Sequence, residues 1–177
     1  MEIRRLNPMT DEALLREAFL WDSNAPDWYS TSDSLFRPDS VERYLEMAHN
    51  ENQVDIGVFG GEMVGLITFD RKGDGIFEIR LSAKRTASLQ TLTEAAYQVR
   101  YQIFSIGAKL GLVWIAKRNR HIIKLCEMIG FVRDGVTMYR GTHSRKKLDG
   151  SFIYRPIEWV RLITTREQWL AEQKIAA

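Results

Sequence analysis

Over Val54–Val58 and again over Phe77–Leu81 apolar side chains return at every second position, and from residue 89 they return at every third or fourth. That switch from a strand-like to a helix-like period restricts the chain to folds in which a hairpin-rich half precedes a β-α-β-α half. Gln53–Phe59 and Glu62–Phe69 read as strands joined at Gly60-Gly61, a hairpin signal. Gly75–Ser82 reads as a third strand, with Phe77, Ile79 and Leu81 on one side and Glu78, Arg80 and Ser82 on the other. Leu89, Leu92, Ala96, Val99, Ile103, Ile106 and Leu110 then define a long amphipathic helix, with Gly111 as its expected stop.

The flanking segments complete the order. Glu2–Leu6 predicts a short strand and Asp11–Phe19 a helix. Trp21–Pro38, with two prolines and Ser, Asn and Asp among aromatics, predicts a long loop. Asp39 or Ser40 can cap a helix carrying Val41, Tyr44, Leu45 and Ala48 on one face. Leu112–Ala116 predicts a buried strand, and Asn119–Ile129 a helix closed by Gly130. Val132–Tyr139 and Phe152–Ile163 predict strands around a basic, glycine-containing connection, and Thr164 with Glu167 offers a capping box for a last helix. The order β-α-α-β-β-β-α-β-α-β-β predicts an α/β chain of the α+β kind, a mixed sheet flanked by helices. Residues 1–163 are expected to form one domain and residues 164–177 a helical tail.

Composition removes several function classes. At 177 residues and 45% hydrophobic, the chain can bury a sizeable core and is not a disordered one. Cys126 is the only cysteine, so no intrachain disulfide and no all-cysteine metal site can form. His49, His121 and His143 lack ligand spacing, so no metal is expected. The N-terminus has no apolar stretch for a signal peptide, and the longest apolar run, Leu112–Ala116, is too short for a bilayer. The expectation is a soluble, cytoplasmic protein with no membrane partner. The net charge of +2 hides a split: residues 1–79 carry 7 basic and 16 acidic side chains, net −9, and residues 80–177 carry 18 and 7, net +11. No nucleic-acid-binding motif accompanies the basic half, so nucleic acid is not an expected partner.

Asn119-Arg-His-Ile-Ile-Lys-Leu-Cys-Glu-Met-Ile-Gly130-Phe131 resembles the Asn-x-x-Ala-x-x-Leu-Tyr-x-x-x-Gly-Phe segment of the GNAT superfamily of acyl-CoA-dependent N-acyltransferases. The element order resembles that fold over roughly residues 1–163. The resemblance implies a splayed sheet with acetyl-CoA as co-substrate in its V, the pantetheine arm pairing with strand backbone near Leu81 and Ser82. It implies that the pyrophosphate sits where Lys84, Arg85, Thr86, Ala87, Ser88 and Leu89 lead into the long helix, because orphan amides and the positive helix end favour an anion. The family usually writes this loop Gln/Arg-x-x-Gly-x-Gly/Ala. Here Arg85 fits the first position, while Ser88 and Gln90 stand where small residues are expected. Asn119 and Lys124, with the neighbouring Lys117, Arg118 and Arg120, are implied to lie near the nucleotide end.

Amine acylation needs a base for the acceptor and an acid for the leaving thiolate. The resemblance makes Glu78 the candidate base. The motif tyrosine is replaced by Cys126, a weak acid with an ordinary pKa of about 8.5, but its place on the face of Ile122 and Ile129 favours a small buried hydrophobe over a proton donor. Tyr139, Tyr154 or solvent are the alternatives. Asp27, Trp28 and Tyr29, with Asp22 and Asp33, place acid and aromatic groups where such proteins contact the acceptor, a combination that suits a cationic amine.

The expected activity is transfer of an acetyl group from acetyl-CoA to an amine, small molecule or protein, in a ternary complex, with a homodimer as an expected assembly. The runner-up is a non-catalytic GNAT-fold assembly or interaction protein. The chain also resembles GNAT-like proteins encoded by tailed phages, some of them virion-associated. Arg140–Lys147 and the tail with Trp169 and Leu170 would then serve as docking surfaces.

Overall fold

The computed structural model describes residues 1–24, 40–49, 53–84, 86–105, 107–146 and 151–176. Its elements are β1 (Glu2–Arg5), α1 (Glu12–Asn24), α2 (Val41–Ala48), β2 (Gln53–Gly60), β3 (Glu62–Gly73) and β4 (Ile76–Ala83) in the first half. The second half comprises α3 (Leu89–Ser105), β5 (Leu110–Ala116), α4 (Arg120–Met128), β6 (Val132–Lys146), β7 (Phe152–Thr165) and α5 (Arg166–Ala176). The strands form one sheet in the order β1-β2-β3-β4-β5-β7-β6. All neighbours run antiparallel except β4 and β5, and α3 supplies the crossover that a parallel pair requires. The mixed, helix-flanked sheet read from the sequence is the one observed. Among the described residues, no helix is long and apolar enough to cross a membrane.

Two cores lie on opposite faces of the sheet. Ile56, Ile67, Phe69, Phe77 and Ile79 meet Ala95, Val99 and Ile103 of α3 and Ile123 and Cys126 of α4 on one face. Leu66 and Met63 meet Leu15 and Ala18 of α1 and Leu45 and Ala48 of α2 on the other. The period-2 strands therefore send alternate residues to different helices.

Several boundaries differ from expectation: β3 runs on to Gly73 and β6 to Lys146, so most of the expected basic connection is strand, and the helix ends differ as follows. The first helix continues to Asn24, so Trp21–Asn24 are helical and not loop. Helix α3 ends at Ser105, where Gly107 takes φ +90°; its N–H bonds Phe104 O at 3.3 Å, and Ala108 N–H bonds Ile103 O at 3.2 Å. This pair of bonds is a Schellman cap. Leu110 and Gly111 then belong to β5, and a Cβ on Gly111 would come within 3.0 Å of Ile103 Cδ1. Finally, the last helix is boxed one residue later than expected. Thr165 N–H bonds Gln168 Oε1 at 3.0 Å and Gln168 N–H bonds Thr165 Oγ1 at 3.2 Å. Thr164 instead is fully buried, its hydroxyl accepting from Arg100 Nε at 3.0 Å.

Arg100 ties four elements together. Its guanidinium also grips Glu172 of α5 through both terminal nitrogens, Nη2 at 2.9 Å. Gly130, the motif glycine, closes α4 at φ +90° with Phe131 N–H bonded to Cys126 O at 2.9 Å. A Cβ there would sit 2.1 Å from Arg100 Nη1. Glycine is thus required twice, for its backbone angle and for the space the buried guanidinium fills. We expect Gly130→Ala to lower the unfolding free energy by about 3 kcal/mol in urea titration. Gly61→Ala, at φ +95° in open space, should cost only about 1 kcal/mol.

Candidate active site

The parallel ladder between β4 and β5 has three rungs, Ile76↔Leu110, Phe77↔Gly111 and Glu78↔Leu112. Beyond Glu78 the strands part. β4 stays with β3 as far as Ala83↔Gly65, and β5 stays with β7 as far as Ala116↔Trp159. Among the described residues, the β4–β5 ladder does not continue along Ile79–Ala83 and Val113–Ala116. They form a V that opens toward the N-termini of α3 and α4. On its α3 side lies a narrow apolar groove of about 50 Å³, with Leu81 and Ala83 of β4 facing Leu92 and Ala96 of α3 and Ile122 and Leu125 of α4. Such a cleft presents backbone amides to an extended chain and apolar walls to its methylenes.

At the mouth, Ser88 caps α3. Its Oγ accepts from Thr91 N–H at 3.0 Å and shares a hydrogen bond with Thr91 Oγ1 at 2.8 Å. Ala87 N–H bonds Lys84 O at 3.0 Å, which turns the chain out of β4. Thr86 is exposed and Ala87 half-buried, and Leu89 opens the helix. Arg85 lies outside the described residues. Lys84, expected to face phosphate, points the other way. Its ammonium pairs with Glu17 of α1 at 2.6 Å and Glu62 at 3.0 Å, and sits 5.3 Å from the ring centroid of Trp21. These carboxylates hold its pKa above the ordinary lysine value, the Glu17 bond most of all. The reason is the acidic first half, which claims a cation the sequence pattern assigns to a ligand.

Asn119 is buried at the end of β5 and forms the N-cap position of α4, where its carbonyl accepts from Ile123 N–H at 3.1 Å and its side chain makes no cap bond. Lys124 is exposed on α4. Lys117 nearby is engaged with Glu158 at 2.9 Å.

Glu78 stands on the last rung, at the vertex of the V. It alternates with Phe77 and Ile79, which pack toward α3, so its side chain leaves on the opposite face with Arg80 and Ser82. Its carboxylate is half-buried and lies 3.5 Å from Lys72 Nζ, which also pairs with Asp70. The other two candidate catalytic groups are elsewhere. Cys126 packs in the core, and burial pushes its thiol up to about 12, so it is a core side chain and not a proton donor at the V. Tyr139 is exposed on the edge strand β6, opposite Glu158 and on the same face as Val160. Two strand spacings, roughly 10 Å, separate β6 from β5. The structure therefore does not bring Tyr139 to Glu78. Asp27, Trp28 and Tyr29 lie outside the described residues.

One polar group of residues went unnoticed in the sequence. Asp55 is buried beneath the Glu78 face. Thr68 Oγ1 donates to its Oδ1 at 2.5 Å, and Gln53 Nε2 donates to its Oδ2 at 2.9 Å. Gln53 Oε1 in turn accepts from Arg80 Nη2 at 3.2 Å. The signal was available as polar residues at alternate positions, Gln53 and Asp55 on one strand, Glu78 and Arg80 on another. Among the described residues, no cluster of three or more His, Cys, Asp or Glu could hold a metal ion.

No family model and no curated protein matches the sequence. Solved structures do. A spermidine N-acetyltransferase mutant from Vibrio cholerae superposes at a TM-score of 0.70 and 14% identity, covering 98% of this chain and 99% of its own. A GNAT-family acetyltransferase from Streptococcus pneumoniae gives 0.69 and 17%, covering 93% and 98%. The chain has the GNAT fold. A Vibrio cholerae spermidine N-acetyltransferase solved with CoA and spermine shares this GNAT fold at a TM-score of 0.68 and 13% identity, covering 96% and 97%.

Asp55 provides a pH signature. Burial raises its pKa, outweighing the lowering by Thr68, Gln53 and the more distant Arg80 and Arg5. The folded state then holds a proton that the unfolded state has released. This contribution to stability is present below the unfolded value of about 4 and is lost as pH rises through the raised folded value. We expect the slope of unfolding free energy against pH, from pH 4 upward, to be more negative in the wild type than in Asp55→Asn. Urea titrations across that range give the difference.

Proposed function

We propose that the chain is an acyl-CoA-dependent N-acetyltransferase that moves an acetyl group from acetyl-CoA to an amine in a ternary complex. The observation that carries this reading is the three-rung β4–β5 ladder. It ends at Glu78, so β4 and β5 run on without pairing to each other beside an apolar groove, with a capped helix N-terminus at the mouth. In the proposed complex the pantetheine amides pair with the β4 edge at Leu81 and Ser82. The pyrophosphate meets the first amides of α3, the hydroxyls of Thr86 and Ser88, and Arg85. Lys84 has no part in this, being committed to Glu17 and Glu62. Asn119 shapes the turn at the far end of β5, and Lys124 supplies charge near the nucleotide.

The acceptor lies on the Glu78 face, with Asp27, Trp28 and Tyr29 of the α1–α2 connection as its proposed further contacts. Glu78 takes the proton from the ammonium, directly or through one water. The amine nitrogen then attacks the thioester carbonyl and the N–C bond forms; as the C–S bond breaks, the nitrogen gives its second proton to water and the CoA thiolate takes one from water, leaving the amide and the CoA thiol. Cys126 is left out because it is buried in the core, and Tyr139 because it stands on the outer strand. The likeness to acetyltransferase structures supports the reaction class, and the complex of one of them with CoA supports the co-substrate.

A second reading, a GNAT-fold interaction module without turnover, draws on the replaced motif tyrosine and the diverted Lys84. Kinetics separate the two. With acetyl-CoA and an amine panel, Glu78→Gln should reduce kcat by about 10²- to 10³-fold while acetyl-CoA affinity stays within about two-fold. Wild-type protein that binds acetyl-CoA and acetylates no amine would favour the module.

A further inference from the structure

Arg80 is a cation on the acceptor face that the fold leaves incompletely satisfied. It lies two residues beyond Glu78, past the last rung shared with β5. One terminal nitrogen donates to Gln53 Oε1, and Gln53 is fixed by its own donation to the buried Asp55. The Arg80 Nε–H is enclosed and has no hydrogen-bond partner. Among the described residues no carboxylate lies within ion-pair distance of the guanidinium, although Lys72 and Lys84 on either side are both paired. An enclosed, unpaired N–H on a charged group is costly, and folded proteins rarely keep one without a use.

We propose that Arg80 receives a carboxylate of the acceptor, so that the acceptor is an amino acid or a related amine with a carboxylate a few bonds from its nitrogen. The proposal rests on the acyl-transfer reading above and names its substrate class. Glu78 and Arg80 share one face of one strand, with Cα atoms about 7 Å apart. They offer a carboxylate to an ammonium and a guanidinium to a carboxylate, the pattern a zwitterion complements. A polycation would instead bring a second positive charge against Arg80. The acyl donor lies in the plane of the sheet between β4 and β5 in that reading, whereas the Arg80 side chain leaves the plane on the acceptor side. Gln53, Asp55 and Thr68 act as positioning residues, because each bond in their chain orients the next toward the guanidinium.

The test uses the full-length protein and a panel of amino acids, each against its own α-carboxamide, with spermidine as a cation lacking a carboxylate. For the preferred acceptor, kcat/KM should favour the free acid over the amide by at least about 10-fold. Arg80→Ala should bring that ratio near one by raising the acceptor KM, with the acetyl-CoA KM within about two-fold. Arg80→Lys, which keeps the charge, should restore part of the preference and guards against a folding defect in the alanine variant. Calorimetric titration of acids and amides into protein with and without CoA reads the same preference in the absence of turnover, so a failure of catalysis and a failure of this proposal remain distinguishable. Equal binding of acid and amide, a preference for spermidine, binding of no panel member, or an Arg80→Ala effect confined to acetyl-CoA would each overturn it.

Discussion

Three rungs of parallel pairing between β4 and β5 set the geometry on which the rest depends. A parallel pair requires a crossover, and α3 supplies it by packing on the face of Phe77 and Ile79. The pair stays joined only where small or interlocking groups permit it. Gly111 lets β5 approach Ile103 and Thr164, with 3.0 and 3.3 Å to the position its Cβ would occupy. After Glu78 each strand follows its other neighbour, because β3 and β7 offer continuous antiparallel partners. The cleft is therefore a consequence of competing strand pairings, and Glu78 occupies the point where the competition changes sides.

The walls of that cleft are held from behind by Arg100. Its guanidinium, buried among α3, β7, α5 and the Gly130 turn, is satisfied by Thr164 and Glu172. Arg100 is buried but Glu172 is half-exposed, so the pair contributes little net stability, while loss of Glu172 would leave a buried guanidinium short of a partner. Its effect here is positional, locking the C-terminal helix and the end of α4 against α3. Trp169 of α5 reinforces the same junction, its ring 5.6 Å from that of Phe104 and 5.8 Å from that of Tyr101.

Much of the fold was legible because alternation and helical spacing report which faces are covered, and two helical layers cover this sheet. The errors fall where a single residue has two possible jobs. Gly111 reads as a helix stop, yet Gly107 makes the cap and Gly111 serves the sheet. Thr164 reads as a cap, yet its neighbour Thr165 takes that place because Thr164 is needed by Arg100. The site was less legible. Glu78 could be placed on a strand face, but its position on the last rung follows from pairings no local pattern encodes. Lys84 pairs with Glu17 and Glu62, partners too distant in sequence for any local pattern to indicate. Cys126 and Tyr139 depend on which face of a helix and which strand of the sheet they occupy, and the fold assigns both away from the V.

The charge split acquires a physical meaning in this arrangement. Part of it is consumed internally, as Lys84 shows, and what remains on the Glu78 face is a mixed field of carboxylates with Arg80 among them. The central claim is that the edge of β4 beyond its last rung with β5 takes up acetyl-CoA as an added strand. Amide hydrogen exchange resolved along Ile79–Ala83 tests it most directly. Saturating acetyl-CoA should slow exchange in that segment and at the first turn of α3 while leaving the β1–β2 pair unchanged. Unchanged exchange in β4, or protection spread evenly over the sheet, would contradict the account.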